Sequence, residues 1–318
     1  MHQNLGFVGE EYEQVTTRHF VLLHRGDARW ARRTGKLLEL AREEFYITLR
    51  ESGFKPAQPD QPLVWVCFPE TRPFRQYARQ SDDMDASWLE AYYSTRTNRV
   101  ATIFRTRDED SFWTAGTNPE AELREDVARI VFASDGDRSQ GEPAEAWQID
   151  VIQTTHELAH QLAFNTGLQK RGVMYPLWVS EGLATNFEAD PSGEIGFGRD
   201  NAIRRRRLVA MNRDRRLMPL GQFLTLTQVP RNGRAKDFYA QSWGMFHFLF
   251  TRRSKQMRRY LQAIAQLKPG RRSRQQLYRE FTTHFGSMRQ LRSDWRAYLR
   301  DAGQLDQDSN QPQLVDSR

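Results

Sequence analysis

The 318-residue sequence has a single cysteine, Cys67, and no uninterrupted run of 18 apolar residues. One cysteine excludes an intramolecular disulfide and the zinc modules that are built from several cysteines. The lack of a long apolar run predicts that no helix crosses a membrane. The first residues contain no basic segment followed by an apolar one, so they predict no secretory signal. The location stays open, including export after removal of a leader.

Lysine is also scarce, with six of the 47 cationic residues, and charge is unevenly distributed. Residues 1–150 carry 19 Lys and Arg against 26 Asp and Glu (−7), and residues 151–318 carry 28 against 14 (+14), which sums to +7. The basic clusters of the second half have helical spacing, which is typical of solvated helix faces. No nucleic-acid-binding motif accompanies them, so nucleic acid is not a predicted partner. The alternative, binding through this basic half, would give steeply salt-dependent association.

The apolar pattern separates a sheet-bearing part from a helical part, which predicts an α+β fold. Strands are predicted at 15–24, 63–68, 88–94 and 99–104, with helices at 28–50 and 74–79. From residue 148 onward almost every segment has helical spacing. We interpret residues 107–147, with their glycine, proline and aspartate residues, as an insertion or lid that contains a helix at 121–132. The predicted domains are a sheet-bearing subdomain at 1–170, a helical subdomain at 171–303 and a disordered tail at 304–318.

The first helix of the second part contains His156-Glu157-Leu158-Ala159-His160. Residues four apart lie on one face of a helix, so both imidazoles can bind one cation, and Glu157 can reach a water on it. Seven histidines and 20 glutamates in 318 positions give on the order of 0.01 chance matches to such a motif. Zinc suits neutral imidazoles, and a carboxylate beside zinc-activated water can act as a general base. The alternative is a pair of structural histidines on an ordinary helix.

A catalytic zinc site needs a third protein ligand, and Glu181 in residues 178–184 (WVSEGLA) provides one. The 20 residues between it and His160 allow a loop and a second helix that runs back alongside the first. The small side chain of Gly182 would let these two helices approach closely, and Trp178 would cover one side of the site. The alternative for Glu181 is a carboxylate stabilised by the positive end of its own helix.

The pair HELAH and WVSEGLA resembles the gluzincin branch of zinc metallopeptidases, which includes thermolysin and aminopeptidase N. The wider pattern is similar to poorly characterised bacterial proteins with a gluzincin-like domain, through HFVLL at 19–23, AYYSTRTNRVATIF at 91–104, HQLAFNTG at 160–167 and YAQSWGMFHFL at 239–249. The resemblance implies a zincin-like catalytic core with an N-terminal mixed sheet and an active-site helix, followed by a mainly helical C-terminal subdomain. It also implies one zinc ion per chain bound by His156, His160 and Glu181, with Glu157 as catalytic base and acid.

The resemblance extends to Tyr239, since aminopeptidase-like gluzincins use a downstream tyrosine to stabilise the tetrahedral oxyanion. Packing of this ring among neighbouring aromatic residues is the alternative, and Gln241 and Ser242 are weaker candidates for the role. The sequence departs from thermolysin-like enzymes at Thr185, where they have an aspartate, and Glu188 is a candidate to orient a histidine instead. No G-x-M-E-N motif precedes the helix, so the amine-anchoring site of the aminopeptidase N group is not supported.

These patterns together predict a zinc-dependent metallopeptidase, in which Glu157 transfers protons during hydrolysis of a peptide bond, and more specifically an endopeptidase. The predicted partner is a peptide or protein substrate. The strand at 99–104 is expected at the sheet edge, where an extended peptide could pair with it. The alternative is a catalytically silent protein of zincin fold that acts in binding or scaffolding. The sequence indicates neither the cleavage specificity nor the oligomeric state.

Overall fold

A computed structural model of the chain describes residues 11–26, 28–104, 151–189, 195–230 and 234–309. The segment predicted to be an insertion or lid, with its helix at 121–132, lies outside these residues. Within the described part of the chain, no helix is both long enough and apolar enough to cross a membrane.

A mixed five-stranded sheet forms the first part of the fold. Its strands are β1 (Glu13–Thr16), β2 (Phe20–His24), β3 (Leu63–Phe68), β4 (Ala91–Ser94) and β5 (Arg99–Ile103), arranged in the order β1-β2-β3-β5-β4. Strands β2, β3 and β5 are parallel, and β1 and β4 pair antiparallel with their neighbours. The central strand β3 buries every residue except Val64, which agrees with its continuous apolar run.

Two strand predictions need correction. The segment predicted as one strand at 15–24 forms two, because the chain reverses after Thr16 and Thr17 N–H donates to the Phe20 carbonyl. The strand predicted at the sheet edge is β5, which instead lies between β3 and β4. Among the described strands the edges are β1 and β4, because β4 returns antiparallel and covers the outer side of β5.

Among the described residues, three helices accompany this sheet: α1 (Ala28–Glu51), α2 (Thr71–Asp82) and α3 (Val151–Asn165). Helix α1 packs against β2 and α3 through a fully buried apolar stripe that includes Leu37, Leu38, Ala41 and Phe45. Helix α2 packs against β3 and β5, where Phe74 and Tyr77 join a core cluster with Phe68 of β3. Helix α3 lies against α1, β4 and β5.

Seven further helices lie in the described part of the chain: α4 (Leu177–Phe187), α5 (Ala202–Arg213), α6 (Leu220–Phe223), α7 (Ala235–Arg252), α8 (Ser254–Ala265), α9 (Arg274–Phe285) and α10 (Met288–Ser309). Large aromatic side chains fill the core among them: Trp178 stacks on Tyr260, and Phe281 meets both rings edge-on. The single turn α6 was not predicted, since four residues are too short for a periodic signal. The predicted α+β fold, a mixed sheet followed by helices, is confirmed.

The chain divides into two compact units. The first is Met1–Arg171 with Phe187–Gly196, and the second is Gly172–Asn186 with Phe197–Arg318. The sequence placed residues 187–196 in the predicted helical subdomain, whereas the structure groups Phe187–Gly196 with the first unit. The segment expected to be a disordered tail is helical at its start, because α10 continues through Ser309. Asp306 in this extension lies 3.0 Å from the guanidinium of the buried Arg205, which stabilises the added turns.

Candidate metal centre

A buried amide fixes helix α3 against the sheet. Gln161 is fully buried, and its Oε1 accepts a hydrogen bond from Trp65 Nε1–H over 2.9 Å. Its Nε2 donates to the carbonyls of Val64 (3.3 Å) and Asn98 (3.2 Å). Because hydrogen bonds are directional, three of them from one side chain restrict the rotation of α3 and its position along its own axis. The adjacent His160 therefore projects from a helix whose orientation is fixed.

The C-terminal end of α3 has a second polar anchor. The side-chain amides of Asn165 and Asn98 bond each other reciprocally, over 2.8 and 3.0 Å. Asn98 has φ of 59°, a left-handed conformation that asparagine tolerates better than most residues, in the turn between β4 and β5. Arg171 donates to Asn98 Oδ1 and to Asn165 Oδ1, so one guanidinium holds both amides. Gln161 and Asn165 thus both hold the C-terminal half of α3 against the sheet.

The two motif histidines converge on one point. Their Nε2 atoms lie 3.2 Å apart, and their rings are nearly perpendicular, at 78°. Two nitrogens bound to one zinc ion at tetrahedral geometry would be separated by about 3.3–3.4 Å. The pair therefore fits a shared metal ion without rearrangement. His156 is buried, whereas Glu157 between the two histidines is partly exposed.

A buried carboxylate orients His156. Glu188 Oε1 lies 2.8 Å from His156 Nδ1, and the two side chains are only 1% and 6% exposed. When Nδ1–H donates to this carboxylate, Nε2 carries the lone pair and faces His160. The assignment of Glu188 as a candidate to orient a histidine thus has a definite partner, His156. The contact compensates for Thr185, whose hydroxyl donates to the Glu181 carbonyl within its own helix.

Thr155, which carried no signal in the sequence, holds the segment that bears Glu188. Its fully buried hydroxyl donates to the Val151 carbonyl and accepts a hydrogen bond from Ala189 N–H over 3.0 Å. Glu188 and Ala189 follow α4 directly, so neighbouring residues of α3 bind both of them. This double attachment sets the position at which α4 ends.

Glu181 completes a set of three possible metal ligands. One ligand atom each from His156, His160 and Glu181 lies within 4.8 Å of the other two, and no other such group of His, Cys, Asp or Glu occurs in the described part of the chain. Glu181 is seven residues before Glu188, about two helical turns, so both carboxylates leave the same side of this segment. Glu181 is partly exposed, which leaves room for a further ligand beside it.

Two neighbours of Glu181 make close contacts within the helical unit. A Cβ added to Gly182 would lie 2.8 Å from both the Ser242 carbonyl oxygen and Phe246 Cβ, so its small size allows α4 to approach α7. Trp178 is fully buried and its ring stacks on Tyr260 at a centroid distance of 6.2 Å, and its predicted covering of the metal site stays a prediction. Both residues act in the core of the helical unit.

The remaining candidates lie on α7. Tyr239 is buried near the start of this helix, and the guanidinium carbon of Arg204 lies 5.9 Å from its ring centroid. The oxyanion role of Tyr239 stays a prediction. Gln241 is fully engaged elsewhere, since its amide accepts from Met218 N–H and donates to the Met218 carbonyl, each over 2.9 Å.

Comparison with known proteins adds one partial match. Residues 150–270, which include the three possible ligands, match a family model described as a protein of unknown function (DUF1570). No curated protein matches the chain significantly.

Proposed function

We propose that this protein is a zinc-dependent peptidase whose centre is formed by His156, His160 and Glu181. The observation that carries the proposal is the convergence of one ligand atom each from His156, His160 and Glu181 within 4.8 Å. Two imidazoles and one carboxylate are a donor set typical of catalytic zinc, because three protein ligands leave a coordination position for water. The buried hydrogen bond from His156 to Glu188 supports this assignment, since zinc-bound histidines commonly donate to a carboxylate.

The chain supplies an acid–base group at this centre. When bound, zinc supplies a Lewis acid that lowers the pKa of water toward neutrality. Glu157 is next to His156 on α3 and is partly exposed, so its carboxylate can accept a proton from water and donate it to the leaving amine. Tyr239 is the proposed donor to the oxyanion. The carboxylates have separate duties: Glu181 binds, Glu157 transfers protons, and Glu188 orients His156.

An extended peptide is the substrate that the neighbouring sheet favours. β4 is an edge strand of the described sheet, and α3 packs against it. An edge strand offers unpaired backbone groups to which a peptide can add as a further strand. Binding through the backbone at internal positions of a peptide suits an endopeptidase, which is therefore the proposed specificity class.

The metal content of the purified protein tests the site. We expect about one zinc ion per wild-type chain by elemental mass spectrometry, and a large loss in Glu181→Ala. Glu43→Ala is the matched control, because Glu43 is an exposed carboxylate on α1, and it should retain zinc. A wild-type protein that binds no zinc even after dialysis against it would overturn the proposal.

Cleavage of a peptide library tests the activity. Glu157→Gln keeps the side-chain shape but removes the base, so it should retain zinc and lose cleavage by about 10²–10⁴-fold. Circular dichroism should show the same fold as the wild type. Zinc-loaded wild type that cleaves no peptide or protein would refute catalysis and leave a metal-binding scaffold as the function.

A further inference from the structure

A cavity of about 310 Å³ lies within the second unit and includes none of the candidate metal ligands. It is bounded by the end of α5, the following turn, α6 and the start of α7. Its apolar lining consists of Met211, Leu217, Met218, Pro219, Pro230 and Phe238. This volume is at the lower end of the range for small-molecule sites, which are mostly apolar with a few placed polar groups.

The inner wall of this cavity is rigid. Gln241 is 1% exposed, and its amide forms two hydrogen bonds with the backbone of Met218, one to N–H and one to the carbonyl. These bonds tie the turn after α5 to α7 across the cavity. They also use both polar atoms of Gln241, so the wall presents apolar surface to an occupant.

The rim of the cavity is cationic. It carries Arg215, Arg216 and Arg234 with one carboxylate, Asp237. Asp237 is shared, because Arg216 approaches it to 2.6 Å and Arg207 to 2.7 Å. Within the described residues, neither Arg215 nor Arg234 forms an ion pair with a carboxylate. Two guanidinium groups at the rim are therefore available to an anion.

The backbone at Arg215 is a second, independent feature of this rim. Arg215 has φ of 55°, in the left-handed region, because it terminates α5: its N–H donates to the Asn212 carbonyl, and Arg216 N–H donates to the Met211 carbonyl. This pattern usually has glycine at the left-handed position. Here the position has an arginine despite the steric cost, and such strain is concentrated at binding sites.

We propose that this cavity binds a small carboxylate with an apolar body. The hydrocarbon part fills the space between Met218 and Phe238, and the carboxylate binds at the rim to Arg215 and Arg234. Guanidinium groups match the planar geometry of a carboxylate and can donate two parallel hydrogen bonds to it. The site is independent of the metal centre, so its occupation requires no zinc.

Isothermal titration calorimetry of the full chain tests the proposal with 3-phenylpropanoate and hexanoate as probes. We expect dissociation constants on the order of 0.1–1 mM for ligands of this size. The neutral 3-phenylpropanamide and inorganic phosphate are the comparison ligands, since one lacks the charge and the other lacks the apolar body. Both should bind about tenfold more weakly or not at all.

Arg215→Gly and Arg234→Gln test the rim. Each should weaken carboxylate binding about tenfold, and Arg215→Gly should keep or raise Tm because glycine accepts the positive φ. Arg213→Gln is the control, since it removes the same charge two residues before Arg215, from a side chain that does not line the cavity. The proposal is overturned if neither carboxylate binds, if the amide or phosphate binds equally well, or if all three variants bind alike.

Discussion

The two helices that carry the candidate ligands are held by different kinds of contact. Helix α3 is held by buried polar side chains, with Gln161 bonded to three groups of the sheet and Thr155 bonded to Ala189. Helix α4 is held mainly by close packing, since Trp178 lies in an aromatic core and Gly182 touches α7, and one buried hydrogen bond from Asn186 Nδ2 to the Trp243 carbonyl adds to it. Directional bonds fix rotation, whereas packing fixes distance and permits small adjustments. The position of the histidine pair therefore depends on directional bonds within the first unit, and that of Glu181 chiefly on the packing of α4 within the second.

The largest effect should come from removing the polar anchor of α3. Gln161→Leu leaves Trp65 Nε1–H without its hydrogen-bond partner in the core and removes the bonds to the carbonyls of Val64 and Asn98. We expect a loss of about 3–5 kcal/mol in the free energy of unfolding, measured by urea denaturation. Gln76→Leu on the exposed face of α2 is the matched control, with an expected change within about 0.5 kcal/mol. A loss below about 1 kcal/mol for Gln161→Leu would mean that apolar packing also holds α3.

An added methyl group tests the packing of α4. Gly182→Ala would place Cβ 2.8 Å from the Ser242 carbonyl oxygen, a backbone atom that can yield only if a helix shifts. We expect a loss of about 1–3 kcal/mol in thermal or urea unfolding, with weaker zinc binding as Glu181 moves. Gly303→Ala in α10 is the control, because its Cβ would meet nothing within 4 Å, and it should gain about 0.5–1 kcal/mol. Equal stability of the two variants would show that α4 adapts without cost.

Removing one charge tests how the carboxylate of Glu188 supports His156 as a metal ligand. Glu188→Gln keeps the size of the side chain but weakens the acceptor for His156 Nδ1–H, so zinc affinity should fall about 10–100-fold. Competition with a chromogenic chelator would measure this, with Glu43→Gln as the control. Unchanged affinity would mean that His156 is oriented by its helix alone.

What could be predicted from the sequence followed from local patterns. The buried strand β3 is a short apolar run, α1 has a clear helical stripe, and the spacing of His156 and His160 indicates a shared ligand face. The third ligand candidate, Glu181, was also identifiable. The strand, the helical stripe and the histidine pair depend on residues within a few positions of each other, so periodicity is enough to find them, whereas Glu181 was predicted from its motif and its interval after His160.

What could not be predicted depends on distant partners. Gln161 bonds Trp65, 96 residues away, and nothing in its own helix distinguishes it from a solvated glutamine. Gly182 suggested a close approach, but its partner, α7, is about sixty residues further along the chain. The positions of β4 and β5 in the sheet likewise depend on which of the two pairs with β3, and their sequence patterns are too similar to distinguish them. Sequence periodicity reports which face is buried, not what covers it.

The smallest effect should come from a polar anchor that, unlike Gln161 in α3, is only partly buried. Glu39 of α1 accepts hydrogen bonds from Thr17, from the His19 backbone and from the His19 ring, next to the β1–β2 turn. Desolvation raises the pKa of Glu39, but these hydrogen bonds outweigh it and leave the pKa below its usual value. A lowered pKa in the folded state means that the contribution to stability is present above the unfolded pKa, about 4.3. It is lost as pH falls through the folded pKa.

Glu39→Gln should therefore cost only a few tenths of a kcal/mol near pH 6, because solvent screens a partly exposed group. The difference from wild type should shrink at pH 3, below the unfolded pKa, and vanish once the pH is below the folded pKa. Urea unfolding at both pH values, with Glu43→Gln as the control on the same helix, measures this. A difference that grows as pH falls would contradict the assignment. A loss comparable to that of Gln161→Leu would show that the strength of a polar anchor does not depend on its burial.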